Sequence, residues 1–140
     1  FYVTSTLSRR RAGETGTSWV LIVDSEPQRI QPLQKGLEDE KIKVILEDTP
    51  ATGIGRLTLS LPALMLIPDD LGGCSGMDVC RIVRTNPKFQ NLPIYIYSEK
   101  SSTENELLKK SEQAGANGVY FSVAVIEPIV RAIKKQLEEV

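Results

Sequence analysis

The sequence predicts an α/β domain: a five-stranded parallel sheet with helices on both faces. Three observations point there. Short, nearly continuous apolar runs recur, "WVLIVD", "IKVILED", "ALMLI", "LPIYIYS" and "GVYF", of the kind that forms strands buried on both faces. The stretches between them carry apolar residues at helical spacing. Strand and helix alternate along the whole regular part of the chain, which requires crossover connections and therefore parallel pairing.

The elements follow in order. Residues 1–16 are polar, small and basic without periodicity and read as a flexible linker or arm. The domain spans 17–140. "WVLIVD" (19–24) is the first strand. "SEPQRIQPLQKGLEDEK" follows as a helix, with Ser25 as its cap, Pro27 in the first turn and Ile30, Leu33 and Leu37 on one face. Pro32 sits awkwardly in that stretch, but near enough to its start to be tolerated. "IKVILED" (42–48) is the second strand, with Ile42, Val44 and Leu46 alternating. "TPATGIGRLTLS" is a poorer helix, weakened by two glycines and three threonines. "ALMLI" (63–67) is the third strand. "GMDVCRIVRTN" is a short helix with Val79, Ile82 and Val83 inward. "LPIYIYS" (92–98) is the fourth strand. "STENELLKKSEQAGA" is a helix capped by Ser102 or Thr103, with Glu106 placed for a capping box. "GVYF" (118–121) is the fifth strand. The final helix carries Ile126, Ile129, Val130, Ile133 and Leu137 on one stripe.

Composition narrows the function. The 140 residues are 41% apolar and 25% charged, with net charge −1 at pH 7, an ordinary globular balance without the basic bias of a nucleic-acid binder. Arg9, Arg10 and Arg11 against Glu14 give the first 16 residues a local +2, most simply a solvated linker. No apolar run approaches the ~20 residues of a membrane helix. The opening stretch also lacks the apolar centre of a signal peptide. It lacks a methionine, so an excerpt of a longer polypeptide is expected. With no histidine and two cysteines, Ser-His-Asp and Cys-His catalysis are excluded and a zinc site is not expected. Cys74 reads as a loop thiol and Cys80 as a partly buried helix residue. "GIG" at 53–55 lies in a helix rather than after a strand, which argues against a phosphate loop.

In parallel sheets of this kind the functional crevice lies beyond the carboxyl ends of the strands. Those ends are Asp24 and Ser25, Pro68 and Asp69, Ser98 and Glu99, and Ser122.

At these residues the chain resembles the receiver domains of bacterial response regulators. "VLIVDSEP", "PALMLIPDD" with "GMDVCRIVR", "NLPIYIYS" and "AGANGVYF" carry the resemblance from about Ser18 to the end. It implies a flavodoxin-like (CheY-like) three-layer sandwich with five strands and five helices. It also implies an activity: phosphoryl transfer from a histidine kinase to an aspartate ending the third strand. An acidic pair ending the first strand would hold Mg²⁺. A hydroxyl ending the fourth strand and a lysine ending the fifth would respond to the phosphate.

Carried over residue by residue, most of that machinery is missing. The acidic pair falls on Asp24 and Ser25, so one acid remains. The phosphoacceptor falls on Pro68, whether counted forward from Pro62 or back from Gly76. The hydroxyl falls on Ser98 and is kept, with Glu99 in place of the usual small residue. The lysine falls on Ser122 and the proline after it on Val123. The aromatic switch position falls on Val119, with Tyr120 beside it. Proline has no side-chain nucleophile, and one carboxylate is a weak anchor for Mg²⁺. Losing the lysine removes a charge that would neutralise phosphoryl oxygens.

The expectation is therefore a non-phosphorylatable pseudo-receiver, not an enzyme and without cofactor, with Mg²⁺ binding weak or absent. It would act as a protein-interaction module in bacterial signal transduction or protein localisation, in the cytoplasm. Its partner would be another protein, another domain of the same polypeptide or a second copy of the chain. Neither nucleic acid nor membrane is expected. The docking face would be the fourth helix, fifth strand and fifth helix, with Tyr97, Val119 and Tyr120. The alternative is an active phosphorelay receiver using Asp69. Strand alternation turns Asp69 away from the side that Pro68 faces, so that reading needs a one-residue bulge at Pro68. A flavin or nucleotide module of the same fold lacks a phosphate-binding loop.

Overall fold

The computed structural model describes residues 19–98, 104–121 and 126–138. Five strands, β1 (Trp19–Val23), β2 (Lys43–Glu47), β3 (Leu64–Pro68), β4 (Ile94–Ser98) and β5 (Gly118–Phe121), alternate with five helices. These are α1 (Gln31–Asp39), α2 (Pro50–Leu59), α3 (Gly76–Arg84), α4 (Glu104–Ala114) and α5 (Ile126–Glu138). All strand pairs are parallel, in the order β2-β1-β3-β4-β5. The expected linker at 1–16, the Ser102 and Thr103 caps, Glu99, Ser122 and Val123 lie outside the described residues.

The sheet separates two cores. On one face Val20, Ile22, Leu64, Leu66 and Tyr97 pack with Leu33 and Leu37 of α1 and Ile129 and Ile133 of α5. On the other, Leu21, Val23, Met65, Ile67, Ile94 and Ile96 pack with Leu57 of α2, Val79, Cys80 and Val83 of α3 and Ala114 of α4. β1 and β3 are buried throughout, which is why they read as continuous apolar runs rather than alternating ones. Each fully buried leucine or isoleucine contributes about 1.5–3 kcal/mol through the water-excluded area.

Local chemistry sets the helix boundaries. The segment after β1 opens as a 3₁₀ turn, Pro27–Arg29, and α1 starts only at Gln31. Pro32 thereby falls in the first helical turn, where its missing N–H costs nothing. Ser25 does not cap this helix: its hydroxyl donates to the Leu71 carbonyl at 3.3 Å. α2 forms despite its glycines because Thr49 caps it and Gly53 lets it approach β1. A Cβ at Gly53 would stand 2.5 Å from Val23 Cγ2. Ile82, expected inward, is 56% exposed. The buried stripe of α3 is Gly76, Val79, Cys80 and Val83, the i, i+3, i+4, i+7 set, and Ile82 lies off it.

Candidate functional site

The carboxyl ends of β1, β3 and β4 meet at one edge of the sheet. Asp24 follows the last residue of β1, and its N–H donates to the Glu47 carbonyl, continuing the ladder to β2. Its side chain is fully buried. A buried carboxylate needs donors on its oxygens, and three supply them. The Glu26 backbone N–H donates to Oδ1 at 2.8 Å. The Tyr97 hydroxyl donates to Oδ2 at 2.6 Å. Arg29 Nε donates to the same Oδ2 at 2.8 Å, completing an ion pair. The hydrogen bond to Asp24 also holds the guanidinium pKa above its ordinary value, against a smaller opposing effect of burial.

Arg29 reaches further. Its Nη2 donates at 3.0 Å to the backbone carbonyl of Asp70, in the loop after β3. One guanidinium thus bridges the end of β1 and the β3–α3 loop. That loop is closed by its own contacts: Gly72 N–H on Asp70 Oδ1 at 2.8 Å, Leu71 N–H on the Cys74 carbonyl and Gly76 N–H on the Asp69 carbonyl. Gly76 passes so close to Pro68 that a Cβ there would stand 2.1 Å from the proline carbonyl oxygen.

Pro68 is the buried last residue of β3, in register with Tyr97. The β3–β4 register runs unbroken from Met65 to Pro68, and the Asp69 N–H continues it by donating to the Tyr97 carbonyl at 2.9 Å. The bulge that would re-aim Asp69 is absent. Asp24, Pro68 and Tyr97 follow the α1/α5 face by alternation, while Asp69 and Ser98 follow the opposite face. There the Ser98 hydroxyl donates to Asp69 Oδ2 at 3.1 Å. Asp24 and Ser98 therefore follow opposite faces of the sheet.

Tyr97, expected on the docking face, is instead buried. It is 1% exposed, and its ring lies in the α1/α5 core. The reason is its place on a central strand with helices on both faces, which covers the residue next to the strand end as fully as the middle. Tyr120, on the edge strand β5, is half-buried and stacks on Tyr95 with ring centroids 4.9 Å apart and planes inclined by 12°. Burial pushes both phenol pKa values up, that of Tyr120 further. Val119 is half-buried against the opposite core. Cys80 is fully buried beside Arg84, and burial raises its thiol pKa against the pull of the arginine. Arg84 itself is structural. It donates to the carbonyls of Gly115 and Phe89 and to Asn117 Oδ1, fastening the end of α3 to the α4–β5 turn.

With Arg29 in place, the donor set does not fit Mg²⁺. Both oxygens of Asp24 already accept from the protein, Ser25 is turned to Leu71, and Pro68 offers no side-chain oxygen. Among the described residues no three His, Cys, Asp or Glu side chains cluster closely enough to hold a metal ion. Also among them, no helix is long and apolar enough to cross a membrane. Arg29 is the site residue that sequence reasoning missed, and Tyr97, expected on the docking face, instead donates to Asp24. Arg29 stood in a segment read as ordinary helix, and five residues from Asp24 is no helical or strand neighbour spacing.

No family model matches the chain, and no curated protein matches it in sequence. Solved structures do. A two-component response regulator from Clostridium difficile is 19% identical with a TM-score of 0.75, covering 86% of this chain and 96% of that one. A response regulator receiver domain protein from Methanospirillum hungatei JF-1 is 20% identical, with a TM-score of 0.73 and coverage of 89% and 96%. The Mn²⁺-bound form of the response regulator Rcp1 is 16% identical, with a TM-score of 0.70 and coverage of 84% and 92%. The likeness is one of fold, and the fold of this chain is that of the response-regulator receiver domain.

Proposed function

We propose that this domain is a non-phosphorylatable pseudo-receiver, a protein-interaction module rather than an enzyme. It would serve a bacterial, cytoplasmic signalling or localisation protein. The observation that carries this reading is Pro68, buried at the end of β3 in an unbroken register with β4. Acyl phosphate formation needs a carboxylate oxygen there as nucleophile, and proline has none. The neighbouring acid adds support. Asp24 already accepts from the Tyr97 hydroxyl, Arg29 Nε and the Glu26 N–H, and a single carboxylate so engaged is a poor anchor for a metal.

The docking surface in this reading is α4, the edge strand β5 and α5. Edge strands and their flanking helices present unpaired backbone and side-chain surface to a partner. Leu108 on α4 is 43% exposed, and Val119 and Tyr120 on β5 are half-buried. The double variant Leu108→Glu, Lys109→Glu changes two exposed positions and should abolish capture of the partner that the unmodified chain binds. Undiminished capture would remove this face.

A second reading keeps phosphotransfer and uses Asp69, and the Ser98 hydroxyl on its carboxylate favours it. Exposure of the full chain to acetyl phosphate with Mg²⁺, followed by intact-mass measurement, separates the two. The pseudo-receiver gains no phosphoryl group. A phosphoryl adduct that disappears in Asp69→Asn would establish the second reading.

A further inference from the structure

We propose that Arg29 is the resident cation of this crevice, holding the place between the β1 end and the β3–α3 loop that a dissolved divalent ion would otherwise bridge. The inference deepens the non-phosphorylatable reading and rests on it for the identity of the crevice. The two groups that Arg29 joins are a fully buried carboxylate and a backbone carbonyl from a different strand end. Such hard oxygens, converging from separate segments, are what Mg²⁺ or Mn²⁺ collects. A buried carboxylate without a counter-charge is also strongly unfavourable. Here the counter-charge is covalently part of the chain.

The local sequence delivers it. Pro27 opens the 3₁₀ turn, and the Glu26 N–H closes back on Asp24 Oδ1. This turn brings residue 29 over residue 24 instead of leading it away along a helix. A tethered guanidinium competes at high effective concentration. It is also weakly hydrated, whereas Mg²⁺ gives up its waters reluctantly. Tyr97 extends the bridge to β4 through the same Oδ2. Three strand ends are therefore tied together by side chains of this chain.

The test uses the full chain and MnCl₂ as the probe, read by paramagnetic broadening of assigned amide signals. The unmodified chain should show no selective broadening at Asp24 and Asp70. Arg29→Met keeps most of the side-chain length and loses the charge. It should bind Mn²⁺ saturably at those two residues, at least ~10-fold tighter than the unmodified chain. Arg29→Lys keeps a cation and should stay refractory. Arg29→Gln serves as the second neutral variant, and the dispersion of each spectrum reports folding directly. Equal Mn²⁺ binding by the unmodified chain and the neutral variants would overturn the proposal, as would no gain in either neutral variant. Adding Mg²⁺ with beryllium fluoride to the unmodified sample examines the other reading separately. A silent crevice with no gain in Arg29→Met removes only the Arg29 assignment, whereas saturable shifts at Asp69 remove the non-phosphorylatable reading.

Discussion

The Tyr97 hydroxyl lies 2.6 Å from Asp24 Oδ2 and links the ends of two strands 73 residues apart in sequence. The bond is buried and charge-assisted, and such bonds contribute more than neutral exposed ones. Tyr97→Phe should lower the unfolding free energy by about 1–3 kcal/mol, since it strips a donor from a buried carboxylate. Urea denaturation with an unchanged slope is the check. Neutralising Lys35, whose pairing with Asp39 is exposed on both sides, should change stability by no more than about 0.5 kcal/mol.

Three glycines should respond in opposite directions to alanine. Gly76→Ala drives a Cβ to 2.1 Å from the Pro68 carbonyl oxygen, a backbone atom that cannot step aside alone. It should cost about 3 kcal/mol or more by overpacking. Gly53→Ala meets a side-chain methyl of Val23 at 2.5 Å and should also destabilise, by less. Gly55 sits exposed on α2 with nothing within 4 Å, and Gly55→Ala should stabilise by about 0.5–1 kcal/mol. Thermal melts of the three variants decide the order.

The two cysteines should separate kinetically. Cys74 is half-buried in a loop, while Cys80 is fully buried with its thiol pKa raised. A thiol reagent at neutral pH should consume one equivalent quickly, at Cys74. The second should react only as fast as the domain opens. Peptide mapping identifies which reacts first. Comparable rates at the two sites would contradict the packing of α3.

Stability should fall at alkaline pH through the Tyr95–Tyr120 stack. Both phenols have folded-state pKa values above their unfolded value. The stabilisation of the neutral form is fully present below the ordinary tyrosine pKa of about 10. It is lost as pH rises from there through the folded value, because the unfolded chain releases the proton first. Tyr120→Phe should flatten that loss in denaturation measured from neutral to strongly alkaline pH.

The strands were legible because burial on both faces leaves an apolar run that few other structures produce, and alternation with helices fixed parallel pairing. Asp24, Pro68, Asp69 and Ser98 were legible as strand-end residues for the same reason. Alternation also foretold that Asp69 turns away from the side of Pro68 unless a bulge intervenes, and none does. What it could not foretell is which distant groups complete each carboxylate. Arg29 reaches Asp24 through a 3₁₀ turn that a helical reading of residues 25–41 conceals. The burial of Tyr97 is hidden in the sequence, because strand periodicity tells which residues share a side and not how much of that side is covered. Ile82 shows the converse: an apolar residue next to the buried stripe of α3 still faces solvent.

The proposed loss of a phosphoacceptor from this crevice is open to direct test. Amide NMR spectra of the chain before and after Mg²⁺ with beryllium fluoride, an acyl phosphate mimic, test it most directly. The account predicts no saturable shifts around Asp24, Asp69 and Ser98. Saturable shifts centred on Asp69 and Ser98, abolished in Asp69→Asn, would contradict it and make this domain a switching receiver with a displaced acceptor.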